Sequence, residues 1–558
     1  MLLMIEKGYN NQMKNFKMHL LLLFFFASIN IFASPYDMIL VGETIIEDIR
    51  FLSLVSGKSV PSFTPPFAPH EIRNFLDLID ESSLSPPAKE AYKRVINRLD
   101  PKTPLSLKWD IFSLSLNVDL TLEGRLRTNK DMDWYPVQSK IPAFLSVPLK
   151  LNFIDKLQLY VDPAISIDPY NYNTNEYFSN NMVFFFNNDI NGNSPLKTFV
   201  AAGGPWWNFQ LGRDRLSFGT GISGNLSIAD NPPFYEFMRL SFFSNQFKYS
   251  LIVNQTPLKL NKELYPYLDD NPDYLTKTTQ RYFYLSRIDV TLFKVLTLSL
   301  MEGVMAGNSA FELRYLNPLM IFHNAMTWRD YDHWGAGVEN SNGEHMNGSF
   351  FSAEFNWHIV KSLSAYGQFA MTELSIGPEL KEGREEAPNA IGLMFGLQNS
   401  HSFKTWASIF YLECFYTSPF LYINPTPFAS IIFMHDVQFV HENHYYYYFG
   451  YPRDTFAITA GTRFFNNDKL ILNGEFSWIS RGKYGKFPIE WNWTKDYSWA
   501  PAGTPENNFI LSAGINWKLL SFLTLKGKIS GIYSLNRNNE DGSNTAGGQV
   551  SLSANFYY

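Results

Sequence analysis

The last ten residues, Gln549–Tyr558, read QVSLSANFYY. Val550, Leu552, Ala554, Phe556 and Tyr558 alternate with Gln549, Ser551, Ser553 and Asn555. Successive side chains of a strand point to opposite faces, so this stretch is a strand with one apolar and one polar face. A soluble sandwich can contain such a strand, but seldom as its last residues with an aromatic at the very end.

The same period of two runs back through the chain. Leu114, Leu116, Val118, Leu120 and Leu122 alternate with Ser115, Asn117, Asp119 and Thr121. It recurs in FMRLSFFS, RIDVTLF, FSAEFNWH, FAITAGTRFF and LTLKGKISGIYSL, among others. In all, about 16–20 segments have the length a tilted strand needs to cross a bilayer. The connections alternate in length, with long ones at 171–195, 257–280, 320–348, 375–388, 417–455 and 480–506. Short turns on one side and long loops on the other are the habit of transmembrane barrels.

Composition agrees. Of 558 residues, 18% are charged and 17% aromatic, while mean hydropathy is only -0.16. Strands half in lipid and half facing a polar lumen, with aromatics at both interfaces, give this combination. The net charge of -6 leaves no basic field for nucleic acid. Cys414 is the only cysteine, which excludes an intramolecular disulfide and a thiolate zinc cluster. It reads as an ordinary strand residue.

At the other end, Lys14 and Lys17 precede the apolar run Leu20–Ala27, and Ala33 offers a small residue for cleavage. This is the pattern of a signal peptide over 1–33, with Met1 or Met13 as the start. Residues 34–105 read as helical. Ile45, Ile46, Ile49, Leu52 and Val55 share one face, and Gly57 suits the position after the helix end. Ile72, Phe75, Leu76 and Ile79 form a second stripe. Ser85-Pro86 begins a third helix, with serine as cap, carrying Ala88, Ala91, Tyr92, Val95 and Leu99. The expectation is an all-β transmembrane barrel of about 16–20 antiparallel strands over 106–558, preceded by a short periplasmic α-helical segment, in contact with outer-membrane lipid.

Three resemblances refine this. The terminal Tyr558 resembles the C-terminal signal by which the barrel assembly machinery recognises its clients. Leu211–Asp230, LGRDRLSFGTGISGNLSIAD, and Phe311–Asn324, FELRYLNPLMIFHN, are similar to segments of the Wzi family of capsule assembly proteins. Where that family has Trp-Gly, this chain has Phe218-Gly219. VGETIIEDIRFLSLVSG resembles the family's first helix. The resemblance implies a barrel of about 18 strands whose bore is largely closed by internal segments and periplasmic helices. It also implies a non-enzymatic outer-membrane lectin that binds or organises surface or capsular polysaccharide. A porin-like channel for small solutes is the alternative with the same fold.

Few residues suggest chemistry. Arg213 is a candidate to line the lumen and pair with Asp230 or Glu236; an ion pair at the barrel rim is the other reading. The glycines of FGTG lack the Lys-Ser/Thr of a phosphate loop. His435, His441 and His444, with Asp436 and Glu442, have no recognised metal-site order, and solvated loop histidines are the plainer reading. Glu339-Asn340-Ser341-Asn342-Gly343 resembles a phospholipase motif but has Glu339 where the histidine base is needed. No cofactor, metal or catalytic residue is expected. Two aromatic clusters remain, Tyr445–Tyr448 and the stretch W-N-W-T-K-D-Y-S-W. In the second, Trp491, Trp493, Tyr497 and Trp499 offer rings for stacking on sugars, and Lys495 and Asp496 polar contacts. An interfacial girdle explains such aromatics equally well.

Overall fold

The computed structural model describes residues 36–558 apart from 101–105, 110, 133–140, 155, 167–175, 181–193, 260–277, 308–309, 319–346, 374–388, 425–426, 437–441, 447–452, 467–468 and 486–498. Its main feature is a 23-stranded antiparallel sheet. Several of the pieces are halves of one stave. Phe112–Leu116 and Asp119–Arg127 form stave β1. Leu145–Ser146 and Leu149–Phe153 form β2, and Leu157–Val161 and Ala164–Ile165 form β3. The staves then follow as β4 (Thr198–Gly203), β5 (Trp207–Asp214), β6 (Tyr235–Phe243), β7 (Phe247–Gln255), β8 (Arg281–Leu292) and β9 (Leu296–Gly307). The second half comprises β10 (Asn347–Val360), β11 (Leu363–Glu373), β12 (Ala390–Phe403), β13 (Trp406–Thr417) and β14 (Thr455–Asn466). It ends with β15 (Leu470–Arg481), β16 (Glu506–Leu520), β17 (Leu523–Leu535) and β18 (Thr545–Tyr557).

Each stave pairs with the next, and β18 pairs with β1, for example Leu552 opposite Gly124. Eighteen staves therefore close the ring among the described residues. Closure is the solution a bilayer enforces, because a strand edge left in hydrocarbon would carry unpaired N–H and C=O groups. Two short strands, Ser106–Lys108 and Tyr177–Ser179, pair alongside the two ends of β1.

The terminal stave carries the alternation read from its sequence. Leu552 is 64% exposed on the outer face, whereas Gln549 is 5% exposed on the inner one. The same division holds around the wall, with Leu300, Trp357, Leu393, Phe410 and Leu511 outward and Arg287, Gln368, Glu413 and Ser512 inward. Cys414 lies half-buried on the outward side of β13.

Three helices sit at the mouth bearing the short turns: α1 (Ile45–Ser56), α2 (Pro69–Leu76) and α3 (Pro86–Leu99). Gly57 ends α1 in the left-handed conformation, φ 64°, as its position foreshadows. The apolar stripes Ile49, Leu52, Ile72, Phe75, Ala91 and Val95 pack into one cluster with Ala407 and Ile409 of β13. Ser85 is the N-cap residue of α3, with Pro86 in the first turn as the sequence indicates, but its hydroxyl donates to Ser402 at the end of β12 (3.0 Å) and not to the helix. The helices are fastened to the turns. The Ser362 N–H donates to Leu54 O (2.7 Å), and the Ser59 N–H to Lys294 O (2.9 Å). No helix among the described residues is long and apolar enough to cross a membrane.

Candidate functional site

The bore is where charged side chains, helices and loops converge. The strap that leaves α1, residues 59–67, runs inside the barrel: Ser62 donates to Asp289 (2.9 Å), and Arg239 donates to Pro66 O (2.8 Å). From the opposite end, the connection between β5 and β6 folds inward as a hairpin. Leu216, Phe218, Leu226 and Ile228 are all fully buried, and Phe218 bridges Ile228. Hairpin and strap meet. The Ser217 N–H donates to Pro65 O (3.1 Å) and the Gly219 N–H to Phe63 O (2.9 Å), and Arg50 reaches Thr220 O (2.6 Å).

Inward polar residues hold the hairpin tip. Glu413 on β13 accepts from the Ile222 N–H (2.7 Å), the Ser223 N–H (2.8 Å) and hydroxyl, and Tyr366 Oη (2.6 Å). Gln368 on β11 accepts from the Leu226 N–H (2.7 Å) and donates to Asn225 (3.1 Å). Arg287 grips Glu354 with two bonds of 2.8 Å and also donates to Asp289. Glu354 in turn accepts from Ser227 of the hairpin (2.8 Å). One guanidinium thus ties hairpin and strap to β8 and, past the intervening β9, to β10. Gly219 has φ 120°, and a Cβ there would lie 1.7 Å from Gln368 Nε2. Only glycine fits this position.

Above the hairpin, the connection after β13 closes down as well. Tyr422 donates to Leu226 O, and Arg281 donates to Phe428 O (3.2 Å) and Ser430 O (2.9 Å). The apolar side chains of hairpin, loop and wall form one continuous core across the bore.

The segment that precedes α1 has an electrostatic anchor. Buried Asp37 accepts from Lys150 (2.9 Å), Arg98 (3.0 Å) and Gln158 (2.9 Å). Burial alone would raise its carboxyl, but Lys150 and Arg98 hold it down at about 2.

Arg213 pairs with Glu236 across β5 and β6, donating from Nε (3.0 Å) and lying over Phe234 at 4.0 Å. Both occupy outward register positions, between inward Gln210 and Asp214 on one stave and inward Tyr235 and Phe237 on the other. This is the rim arrangement. Asp230 is met instead by Arg215, at 3.4 Å and through its backbone carbonyl. Of the aromatic cluster, Trp491, Trp493, Lys495, Asp496 and Tyr497 lie outside the described residues. Trp499 is 76% exposed, 6.1 Å from the outward ring of Tyr416, beside the aromatic belt of Phe456, Trp478 and Phe509. His441 and Glu339–Gly343 also lie outside the described residues, and among those described no three His, Cys, Asp or Glu side chains gather as metal ligands. The sequence reading did not single out Glu413, Gln368, Arg287 or Asp37. For the three on the wall the signal was a charged or amide residue at an inward position of an otherwise small-polar lumen face.

No family model matches the chain, and no curated protein does. Among solved structures, it superposes on Wzi of Escherichia coli, an outer-membrane protein involved in group 1 capsule assembly and described as a carbohydrate-binding β-barrel. The TM-score is 0.56 at 11% identity, covering 93% of this chain and 99% of that one. The fold is the same. OccK3 of Pseudomonas aeruginosa (TM-score 0.39, 10% identity, 80% and 95% covered) and OmpT of Vibrio cholerae (0.32, 10%, 81% and 100%) superpose too loosely for residue positions to be compared.

Proposed function

We propose that this is an exported, non-enzymatic outer-membrane protein that binds or organises surface polysaccharide, with its short-turn mouth and helices in the periplasm. The filled bore carries the reading: a diffusion channel needs a water path, whereas here hairpin, strap and helices occupy the axis. The Wzi fold supports it. Binding then falls to the long loops, where Trp491 and Trp493 would share a face in extended conformation, with Lys495, Asp496, Tyr497 and Trp499 alongside. Individually weak contacts suffice for a polymer that engages many copies.

The test is the double variant Trp491→Ala, Trp493→Ala in cells that display an extracellular polysaccharide. Release of polymer from the surface is expected, while the barrel stays heat-modifiable on a gel. Retention returns these tryptophans to the interfacial girdle. A large steady conductance of the purified protein in a planar bilayer would instead favour the porin reading.

A further inference from the structure

The outer wall is not evenly studded. From β9 to β13 its lipid-facing rows carry large side chains, among them Leu300, Leu393, Phe395 and Phe410. On β14 to β16 one row drops to Thr462, Gly474 and Ala513, which stand opposite one another. Phe410 of β13 closes this row on one side and Ile529 of β17 on the other. The adjoining row toward the long loops runs Ala460, Phe476, Leu511, Gly531. Together they frame a groove of about 770 Å³ with an almost wholly apolar surface. Tyr411, Glu475 and Ser512 also touch it, but their side chains turn inward. There Tyr411 donates to Glu475 (2.6 Å) and Ser512 bonds Ser530 (2.8 Å). The rim stands clear, with Leu511 66% and Ile529 59% exposed.

The groove lies within the hydrocarbon span. Its floor row is two rows from the belt residues Trp478 and Phe509, and two rows from Trp517 near the short turns. It extends toward the belt, whereas Leu472 and Ile515 on the other side are not part of its lining. From Phe410 to Ile529 is four inter-strand steps, about 19 Å.

Two glycines show that the chain itself does not require the hollow. On the inner face Gly461 and Gly396 are required, because a Cβ at either would lie 2.3 Å from the ring of Tyr411 or Tyr366. On the outer face, a Cβ at Gly531 would meet nothing within 4 Å, and one at Gly474 only Thr462 Cγ2 at 3.6 Å. Neither has a positive φ. Glycine weakens a strand interior, and where no turn or internal contact needs it, it marks a close approach from outside.

The occupant follows from the face. The groove is continuous with the lipid-facing wall, so hydrocarbon covers it. A two-fold pair of chains would set the same patch against itself, hollow to hollow, and leave the floor unfilled. A lipid tail gains no apolar burial by leaving its neighbours. Its gain is dispersion contact on the floor and both flanks, where a convex wall offers one side alone.

We propose that this groove seats one acyl chain of a lipid from the leaflet on the long-loop side, and holds it longer than the rest of the wall holds its lipid. The site is on the outside of the barrel and does not depend on the polysaccharide reading above. The intact protein is reconstituted in vesicles containing a phospholipid with a diazirine midway along one chain. Illumination should label β14 to β17 several-fold more heavily than β10 to β12, which face the same lipid. Gly474→Leu with Gly531→Leu fills the groove and leaves the inner face untouched. Labelling of β14 to β17 should then fall to the level of β10 to β12, while the barrel stays heat-modifiable on a gel. Ala353→Leu adds similar bulk on the lipid face of β10, opposite Leu300, and should leave the wild-type pattern. If the leucine pair does not assemble, Ala513→Leu replaces it, with the same expected direction. Even labelling around the wild-type wall overturns the proposal, as does undiminished labelling of β14 to β17 in the filled protein. So does a wild-type dimer that the filled variant abolishes, which would give the groove to a second copy.

Discussion

The carboxylate of Glu413 accepts two hydrogen bonds from Ser223, one from its N–H at 2.8 Å and one from its hydroxyl. With the Ile222 N–H and Tyr366 Oη also directed at it, a single buried charge fixes the hairpin tip. Glu413→Ala leaves those donors without an acceptor. Bonds to a charged group contribute about 1.5–3 kcal/mol each, so the tip should lose at least about 3 kcal/mol. Exchange at the amides of residues 222–223 should then quicken more than a hundredfold in hydrogen-exchange mass spectrometry, with the strands unchanged. Unaltered protection would mean that the apolar core alone holds the hairpin.

Gly219 gives a second handle on the same element. Its positive φ and the absence of space beside Gln368 make Gly219→Ala cost about 2–4 kcal/mol locally. The variant should still assemble as a heat-modifiable barrel, but its hairpin should become sensitive to protease added from the long-loop side.

Leu552 and Ser553 separate the two faces of the wall. Leu552→Lys places a charge on the lipid face, at a cost of roughly 2–4 kcal/mol if near mid-bilayer. Ser553→Lys stays on the half-buried inner face, between Lys526 and Glu123 of the neighbouring staves, and should assemble with far less loss. Folding into vesicles, followed by gel mobility, measures both; equal yields would contradict the assignment of faces.

Asp37 makes the docking of the helices dependent on acid. Its carboxyl is depressed from 3.8 to about 2, so its contribution is full above the unfolded value near 4 and is lost as pH falls through about 2. The shift corresponds to about 2 kcal/mol. Pepsin digestion stepped from pH 4 to pH 2 should show residues 36–100 becoming cleavable before the barrel does. Asp37→Asn should show the looser state at both pH values.

Strand period and the lumen and lipid faces could be read from the sequence, because an alternation repeated along a long chain over-determines the wall; the number of staves could be read only to within about two. The hairpin at 216–230 could not. Its apolar residues Leu216, Phe218, Leu226 and Ile228 look like the ends of two strands, since burial inside the bore and burial in lipid select the same side chains. Arg213 and Arg215 illustrate the same limit: two residues apart, they lie on a strand end and just beyond it. Parity alone could not tell which would meet Asp230. The helical stripes of α1 and α3 were legible, but the partner of Ser85 was not, because a capping hydroxyl and one bonded to a distant Ser402 leave the same local pattern.

The seam between β1 and β18 bears on how the molecule comes to exist. Val118 and Tyr558 exchange N–H···O bonds of 2.9 Å in both directions, joining the start of the wall to the final residue. Bringing such distant positions together costs about 5 kcal/mol in chain entropy, more than any connection between consecutive staves, the short turns least of all. Hairpins therefore form first, and this junction last. Until it does, the growing curved sheet has two raw margins, each ready to recruit a stranger. Pairing of the final stave in register with Val118 removes both margins at once, so the last-made strand is also the one that seals the wall.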